Sequence, residues 1–510
     1  METQNTVSVP KQKFPIPIGL IVGLVALLAV LLMPTPEGLS VSGHRMLAIL
    51  IFAVIVWLTE AISYEVSSVI VLALIALLVG FAPEVVLDKA STLVSESDKF
   101  LGTSKAMNIA LSGFSNSAWA LVAGATFLAA AMTYTKLDRR IALLTLNTIG
   151  TSTKRILIGV IVVTIILSFF VPSATARVAC IVPIMTGIIA AYGVDNRSRI
   201  AVGIMIMVAQ ATSVWNVGIQ TSAAQNLLTV GFMDNIIGSR VSWLDWLKAG
   251  APWSVIMSVV LFFVILKMLP PEADNVPGGK EAVEKELKGL GPMPGAQLRL
   301  LIVMITLLFF WATGGKLHNI DTTTSTAVGL AILMIPGIGV INWKEVQKRA
   351  PWGTILVFGA GISLGTALLR TGAGKWMGDW IVHSAGLEAM SPFMIFAVLA
   401  AFLIIIHLGF ASATALCSLF MPIMIVMLHT IGATNTALTP DVQLGLSMLL
   451  GFVVSYGFIL PINAPQNMVC LGTDTFTAKE FAKVGIVVTI IGYLLMLVMA
   501  LVYWPLLGWL

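Results

Sequence analysis

The chain has 510 residues, 58% of them hydrophobic and only 10% charged, with a formal net charge of +5 and a mean hydropathy of +0.98. A soluble domain carries roughly 25% charged residues, so this composition excludes a water-soluble enzyme or binding module. It describes an all-α polytopic membrane protein, and the small positive balance, carried by loops, gives no reason to expect a nucleic-acid partner.

In lipid only helices and closed barrels satisfy the backbone. The apolar runs are long rather than ten-residue alternations, which selects helices, and about eleven segments reach the roughly 20 residues a span needs. The first, from about Pro15 to Met33, follows a polar head with Lys11 and Lys13. That charge places the head in the cytoplasm, and the lack of a small-residue cleavage site reads as a retained helix rather than a signal peptide. Spans over about 45–62 and 65–82 follow, with Glu60 in Thr59-Glu60-Ala61 at a helix end, where capping or snorkelling explains an acid better than an ion path. Residues 83–117 are more polar and then weakly amphipathic, and are expected at the membrane surface or packed between helices.

A span from about Trp119 ends at Lys136-Leu137-Asp138-Arg139-Arg140, which with Lys154 and Arg155 reads as a solvated cytoplasmic loop. From 156 to 191 the chain is apolar except for Val171-Pro172-Ser173-Ala174-Thr175-Ala176-Arg177 in the middle. Two arms of about 15 residues suit a re-entrant hairpin better than two spans. A helix from about 200 to 235 breaks at Asn216 to Asn226, a span covers about 250–268, and residues 270–295 form a hydrophilic linker. Spans follow at about 297–313 and 322–341, then one from Pro351-Trp352 to Arg370. A split apolar segment over 391–430 carries Ser412-Ala413-Thr414, a helix over 442–478 breaks at Leu460 to Asn467, and a final span covers about 484–508. Cys180, Cys417 and Cys470 lie scattered in apolar surroundings and read as small buried fillers, not as a disulfide or metal set.

The two halves overlay at a nearly constant offset. Ser173 to Ser412 and Pro183 to Pro422 are both 239 residues apart, and Asn226 to Asn467 is 241. This gives N-terminal scaffold helices over 1–105, a first repeat over 106–269, the linker over 270–295 and a second repeat over 296–510, each repeat with a hairpin and a broken helix. Paired interruptions at matching places in two halves mark a carrier's binding site, because irregular backbone at membrane depth survives only beside protein or a cavity. A hairpin tip exposes helix N-terminal N–H groups that attract an anion, and Ser and Thr hydroxyls add donors.

With these motifs the chain resembles the divalent anion/sodium symporter family, carriers of dicarboxylates, tricarboxylates and sulfate, over nearly its whole length. Ser173-Ala174-Thr175 and Ser412-Ala413-Thr414 match the family's two Ser-Asn-Thr tips. Thr221 to Asn226 and Asn463-Ala464-Pro465-Gln466-Asn467 match its two helix breaks. The resemblance implies eleven spans in two inverted repeats, a homodimer in the cell membrane and elevator-like movement. It assigns substrate contacts to Ser173, Ala174, Thr175, Gln225, Asn226, Ser412, Ala413, Thr414, Pro465, Gln466 and Asn467. Were sodium coupled, Ser173, Thr221, Asn226, Ser412, Asn463 and Asn467 would be the sodium ligands.

The chain departs from the pattern at both tips, where Ala174 and Ala413 replace the Asn that helps build the family's sodium sites. An alanine methyl coordinates no cation, so no resident metal or other cofactor is favoured. Arg177 stands in the first turn after the tip, where its charge opposes the helix dipole and calls for an anion beside it. We expect Arg177 to supply in fixed form the charge that sodium supplies in the symporters, ahead of a snorkelling or salt-bridged structural role. His407, five residues before Ser412, reads equally as a substrate contact or proton carrier giving a second positive group and as a hydrogen-bonded core histidine. His44, His318, His383 and His429 lie near loops or ends and receive no role. An intramembrane enzyme finds no support, since His-Glu-x-x-His and paired intramembrane aspartates are missing and Gly359 to Gly365 lacks nucleotide-loop spacing. The expected function is sodium-independent exchange of di- or tricarboxylates of the C4-dicarboxylate, 2-oxoglutarate or citrate type, the alternative sodium- or proton-coupled symport.

Overall fold

The structure, a computed structural model, describes residues 17–88, 93–150, 152–273 and 278–510. Lys11, Lys13 and Pro15, on which the reading of the polar head rests, lie outside the described residues. The helices are α1 (Ile18–Leu32), α2 (Val41–Thr59), α3 (Tyr64–Leu74, extended by a π turn to Val79), α4 (Thr103–Leu111), α5 (Ser117–Thr135), α6 (Leu137–Ile149), α7 (Thr153–Phe170) and α8 (Ala174–Ala191). The first half closes with α9 (Arg199–Gly218), α10 (Ala224–Ile237) and α11 (Trp243–Met268). Then come α12 (Gly279–Gly289), α13 (Gly295–Thr313), α14 (Thr322–Met334), α15 (Trp343–Arg349), α16 (Trp352–Arg370) and α17 (Ala373–Ala385). The chain ends with α18 (Pro392–His407), α19 (Ala413–Thr434), α20 (Pro440–Val453), α21 (Pro465–Leu471) and α22 (Ala478–Val502). Many begin at a Ser, Thr, Asn or Asp whose side chain accepts an N–H of the first turn, as at Ser40, Asn116, Ser198, Ser242, Asp321, Ser391 and Thr439.

Ten of these helices are long and apolar enough to cross a membrane, and shorter apolar helices such as α1, α18 and α20 accompany them. Both arms of the first hairpin are among the ten, because α7 and α8 run 18 residues each where the sequence suggested about 15. The core is centred on α9, whose residues are buried all round and which packs on α7, α8 and α11. A helix apolar on every face belongs inside the bundle rather than against lipid.

Three surface expectations change. Within 83–117 the chain forms an antiparallel hairpin, β1 (Pro83–Leu87) with β2 (Leu93–Phe100), pairing Val86 with Ser95. The basic run after Lys136 is α6, not a loop: Leu137, Leu143 and Leu146 are buried at helical spacing, and Asp138 and Arg140 are buried with them. Arg140 donates to Gln297 Oε1 at 2.6 Å and to the carbonyls of Leu290 and Gly291, tying α6 to the start of α13. The linker likewise contains α12, which lays Val283 against α6 and α8.

Candidate functional site

Four chain interruptions meet at one place. At the first tip α7 ends at Phe170, Pro172 supplies no N–H, and Ser173 takes an extended conformation (φ −151°, ψ 114°) while its Oγ accepts Ala176 N at 3.3 Å. The second tip repeats this at Ser412 (φ −148°, ψ 119°), with Oγ accepting Ala415 N at 3.3 Å. Each Ser caps its helix with one of the free N–H groups, and small Ala174 and Ala413 leave the others uncovered.

The breaks face the tips. After α9 the chain makes a single 3-10 turn, Gln220–Ser222, and Ala223 is extended before α10 begins. In the second half the turn is Pro461–Asn463, with Ala464 extended before α21. Asparagines hold the carbonyls that these breaks set free. Asn226 Nδ2 donates to Asn216 O at 2.6 Å, Asn467 Nδ2 to Gly457 O at 2.8 Å, and Asn463 Nδ2 to His407 O and Phe410 O. Thr221 Oγ1 accepts from Trp243 Nε1 at 3.1 Å. Asn226, Asn463, Asn467 and Thr221 are buried and brace the backbone rather than line the space between the tips.

That space is a cavity of about 340 Å³ lined by Ser173, Ala174 and Thr175, by Ser412, Ala413 and Thr414, and by Gln225, Pro465 and Gln466. The sequence placed all nine in the site. The two glutamines cross between halves: Gln225 Nε2 donates to Ser455 Oγ at 3.0 Å, and Gln466 Nε2 to Ser213 Oγ at 3.2 Å. The sequence reading missed Tyr64, Thr126, Asn216 and Thr354, which also line the cavity. Tyr64 carried one signal, its place four residues after Glu60; Glu60 caps α2 in the left-handed region and accepts the Tyr64 hydroxyl at 2.9 Å. Thr126 and Thr354 carried none, since each sits in an apolar helix among many small residues.

Arg177 and His407 stand behind the cavity. Arg177 is fully buried, and its guanidinium donates to Ser168 Oγ, Asn216 Oδ1 and, at 3.3 Å, Ser222 O. No carboxylate pairs with it among the described residues, so neutral oxygens of α7, the end of α9 and the first break surround the charge. Asn216 both accepts from Arg177 and lines the cavity. His407 is 1% exposed, and its Nε2–H donates to Asn463 O at 3.3 Å. His407 lies 239 residues after Ser168, and Asn463 lies 241 after Ser222. At matching places in each half, a nitrogen therefore fills the gap between hairpin and break.

Helix α5 runs past this site and gives its depth. Ser117, Ala118 and Leu121 line a separate cavity at one end, Thr126 lines the central one, and Thr133 and Lys136 line a vestibule at the other end. The vestibule shares Thr126, Ser173, Thr175 and Pro351 with the central cavity, whereas the opposite cavity shares no lining residue with it. The central cavity is thus continuous with the vestibule bearing Lys136, Arg139 and Arg349 and has no lining residue in common with the cavity at the other end.

The chain is 60% identical over 98% of its length to a protein of Cupriavidus necator described as a membrane protein, covering 95% of that relative. It is 26% identical to the sodium-dependent dicarboxylate transporter SdcS of Staphylococcus saprophyticus, with 96% of this chain and 92% of that one covered. It is 27% identical to the L-tartrate/succinate antiporter of Escherichia coli K12, with 94% and 96% covered. Among solved structures the YdaH transporter of Alcanivorax borkumensis shares the fold, with a TM-score of 0.55 at 10% identity, covering 87% of this chain and 98% of that one. With the sodium:sulfate symporter transmembrane region matching residues 17–510, the chain belongs to that family and is a multi-pass membrane transporter.

Proposed function

We propose that this transporter exchanges dicarboxylates across the cell membrane, one anion leaving as another enters, without sodium. The observation that carries the reading is the Arg177 guanidinium, buried against Asn216 Oδ1 and Ser222 O. A sodium ion held between tip and break would need hard oxygen ligands of this kind. Here a permanent cation already takes them, and a second charge beside it would be repelled, so the first half does not fit a bound sodium. The hydroxyls of Ser173, Thr175, Ser412 and Thr414, together with the two tip N-termini, then face the carboxylates, and the fixed charge behind Asn216 attracts them. One relative is named as an antiporter of two dicarboxylates, which supports both substrate class and exchange.

An empty site with a buried uncompensated arginine reorients at high cost, whereas an anion offsets the charge; this couples movement to occupancy. The movement is elevator-like, with tips and breaks travelling against a scaffold within a homodimer. Sodium coupling is the second reading, favoured by Asn226 Oδ1 and Asn467 Oδ1, buried acceptors without a hydrogen-bond partner, and by the sodium-dependent relative.

Counterflow in proteoliposomes separates the two. We expect labelled succinate to enter only vesicles preloaded with a dicarboxylate, and equally well when choline replaces sodium. Uptake that vanishes without sodium, yet proceeds with sodium into empty vesicles, would establish symport instead.

A further inference from the structure

We propose that the vestibule next to the central cavity is a second anion site, a waiting position for a dicarboxylate, with Lys136 as its anchor; the proposal rests on the transport reading above. The vestibule measures about 460 Å³ and is lined by three cations, Lys136, Arg139 and Arg349, against one acid, Asp138. Two of the cations are held in place from outside. Arg139 pairs with Glu286 of α12, and Arg349 pairs with Glu345 and lies over the Tyr134 ring at 4.9 Å. Lys136 differs, because among the described residues its ammonium has no hydrogen-bond or ion-pair partner, although it is exposed at the vestibule.

The backbone of Lys136 is the second observation. It joins α5 to α6 with φ 58° and ψ 26°, in the left-handed region. Its N–H donates to Met132 O and Thr133 O and so ends α5, a turn that glycine or asparagine makes at lower cost. The cap uses the backbone alone and the side chain is exposed, so the turn itself does not call for lysine. What lysine supplies there and glycine cannot is a free positive charge. It stands ten residues, or about 15 Å at 1.5 Å per residue, along α5 from Thr126 in the central cavity. Ser173 and Thr175 line both spaces, so an anion held at Lys136 can pass directly to the first tip. In an exchanger such a site favours replacement of the departing anion before the protein reorients.

The test is Lys136→Gly, which removes the charge and relieves the backbone together, with Lys136→Arg as the charge-retaining control. Succinate exchange would be measured in membrane vesicles of both orientations at low and high ionic strength, alongside thermal unfolding. We expect Lys136→Gly to unfold at the wild-type temperature or above it. Its KM from the vestibule side should rise about fivefold in low salt, shrinking toward wild type near ~0.5 M salt. KM from the opposite side and the maximal rate should not change, and Lys136→Arg should behave as wild type. Unchanged KM on both sides, or an equal shift on both, would overturn the waiting site while leaving transport intact. Wild-type vesicles that exchange no dicarboxylate would overturn the transport reading and the site with it.

Discussion

Two buried charges set the chemistry at the scale of single residues. Arg177 is held by three neutral oxygens, and truncating it would leave Asn216 Oδ1 and Ser222 O unpaired at about 1–3 kcal/mol each. We expect Arg177→Ala to lose succinate binding by more than tenfold and to unfold at lower temperature. Arg177→Lys, which keeps the charge without the fork, should recover part of the affinity; if Arg177→Ala bound succinate as wild type does, the assignment of charge would be wrong. Asp138 behaves differently. Burial pushes its carboxyl up to about 6, opposed only partly by the N–H of Arg139 and the Thr133 hydroxyl. A carboxyl raised above its unfolded value penalises the folded state above pH 6 and releases that penalty as pH falls through 6 toward 4. Asp138→Asn should therefore raise the unfolding temperature at pH 8, by a free energy on the order of 2 kcal/mol, with the difference vanishing near pH 4; thermal unfolding across this range checks it.

Between elements, close approach decides where the second break sits. Gly485 of α22 lies against the Phe458 carbonyl and Ile459, so that a Cβ there would collide with backbone. The same carbonyl accepts Gln210 Nε2 of α9 at 2.9 Å, so α22 and α9 fix the strand of chain that leads to Pro465 and Gln466. We expect Gly485→Ala to cost about 1–3 kcal/mol by overpacking, seen as a lower unfolding temperature, and to reduce exchange, because the displaced break carries cavity residues. The tips depend on their caps in the same way. Ser173 and Ser412 each accept one N–H, and replacing either by Ala removes roughly 1 kcal/mol of helix capping together with a hydroxyl that faces the cavity.

Taken whole, the molecule is asymmetric in its cavities. The central cavity joins the basic vestibule and is separated from the cavity around Asn319 and Asp321. Basic flanks lie in the cytoplasm, so a membrane-impermeant maleimide should label Thr133→Cys only in inside-out vesicles and Asn319→Cys only in right-side-out ones, in a background without Cys180, Cys417 and Cys470. Cys180 must be removed, since it is half-buried and lines the vestibule, unlike the buried filler expected of it; Cys417 and Cys470 are buried. The opposite pattern would reverse this orientation, and labelling of both positions from one side would overturn the placement of the two cavities on opposite faces.

The sequence by itself determined that the chain is a bundle of apolar helices, and where it is interrupted. Hydropathy is a local property, and a Ser or Pro inside an apolar run is visible without neighbours. Register between the halves paired Ser173 with Ser412, the resemblance added Gln225 and Gln466, and one cavity is lined by all four. Only the tertiary structure divided the polar residues into those that face the cavity and those that serve the backbone. Asn226, Asn463 and Asn467 turn inward because carbonyls freed by the breaks must be satisfied away from water. It also showed α6 under the basic run, since the burial of Leu137, Leu143 and Leu146 depends on α7 and α8 lying beside them. Arg177 shows the division most plainly. Its charge and its place after the tip are written in the sequence, whereas its partners come from α7, from α9 and from the break that follows it, and only folding brings them together.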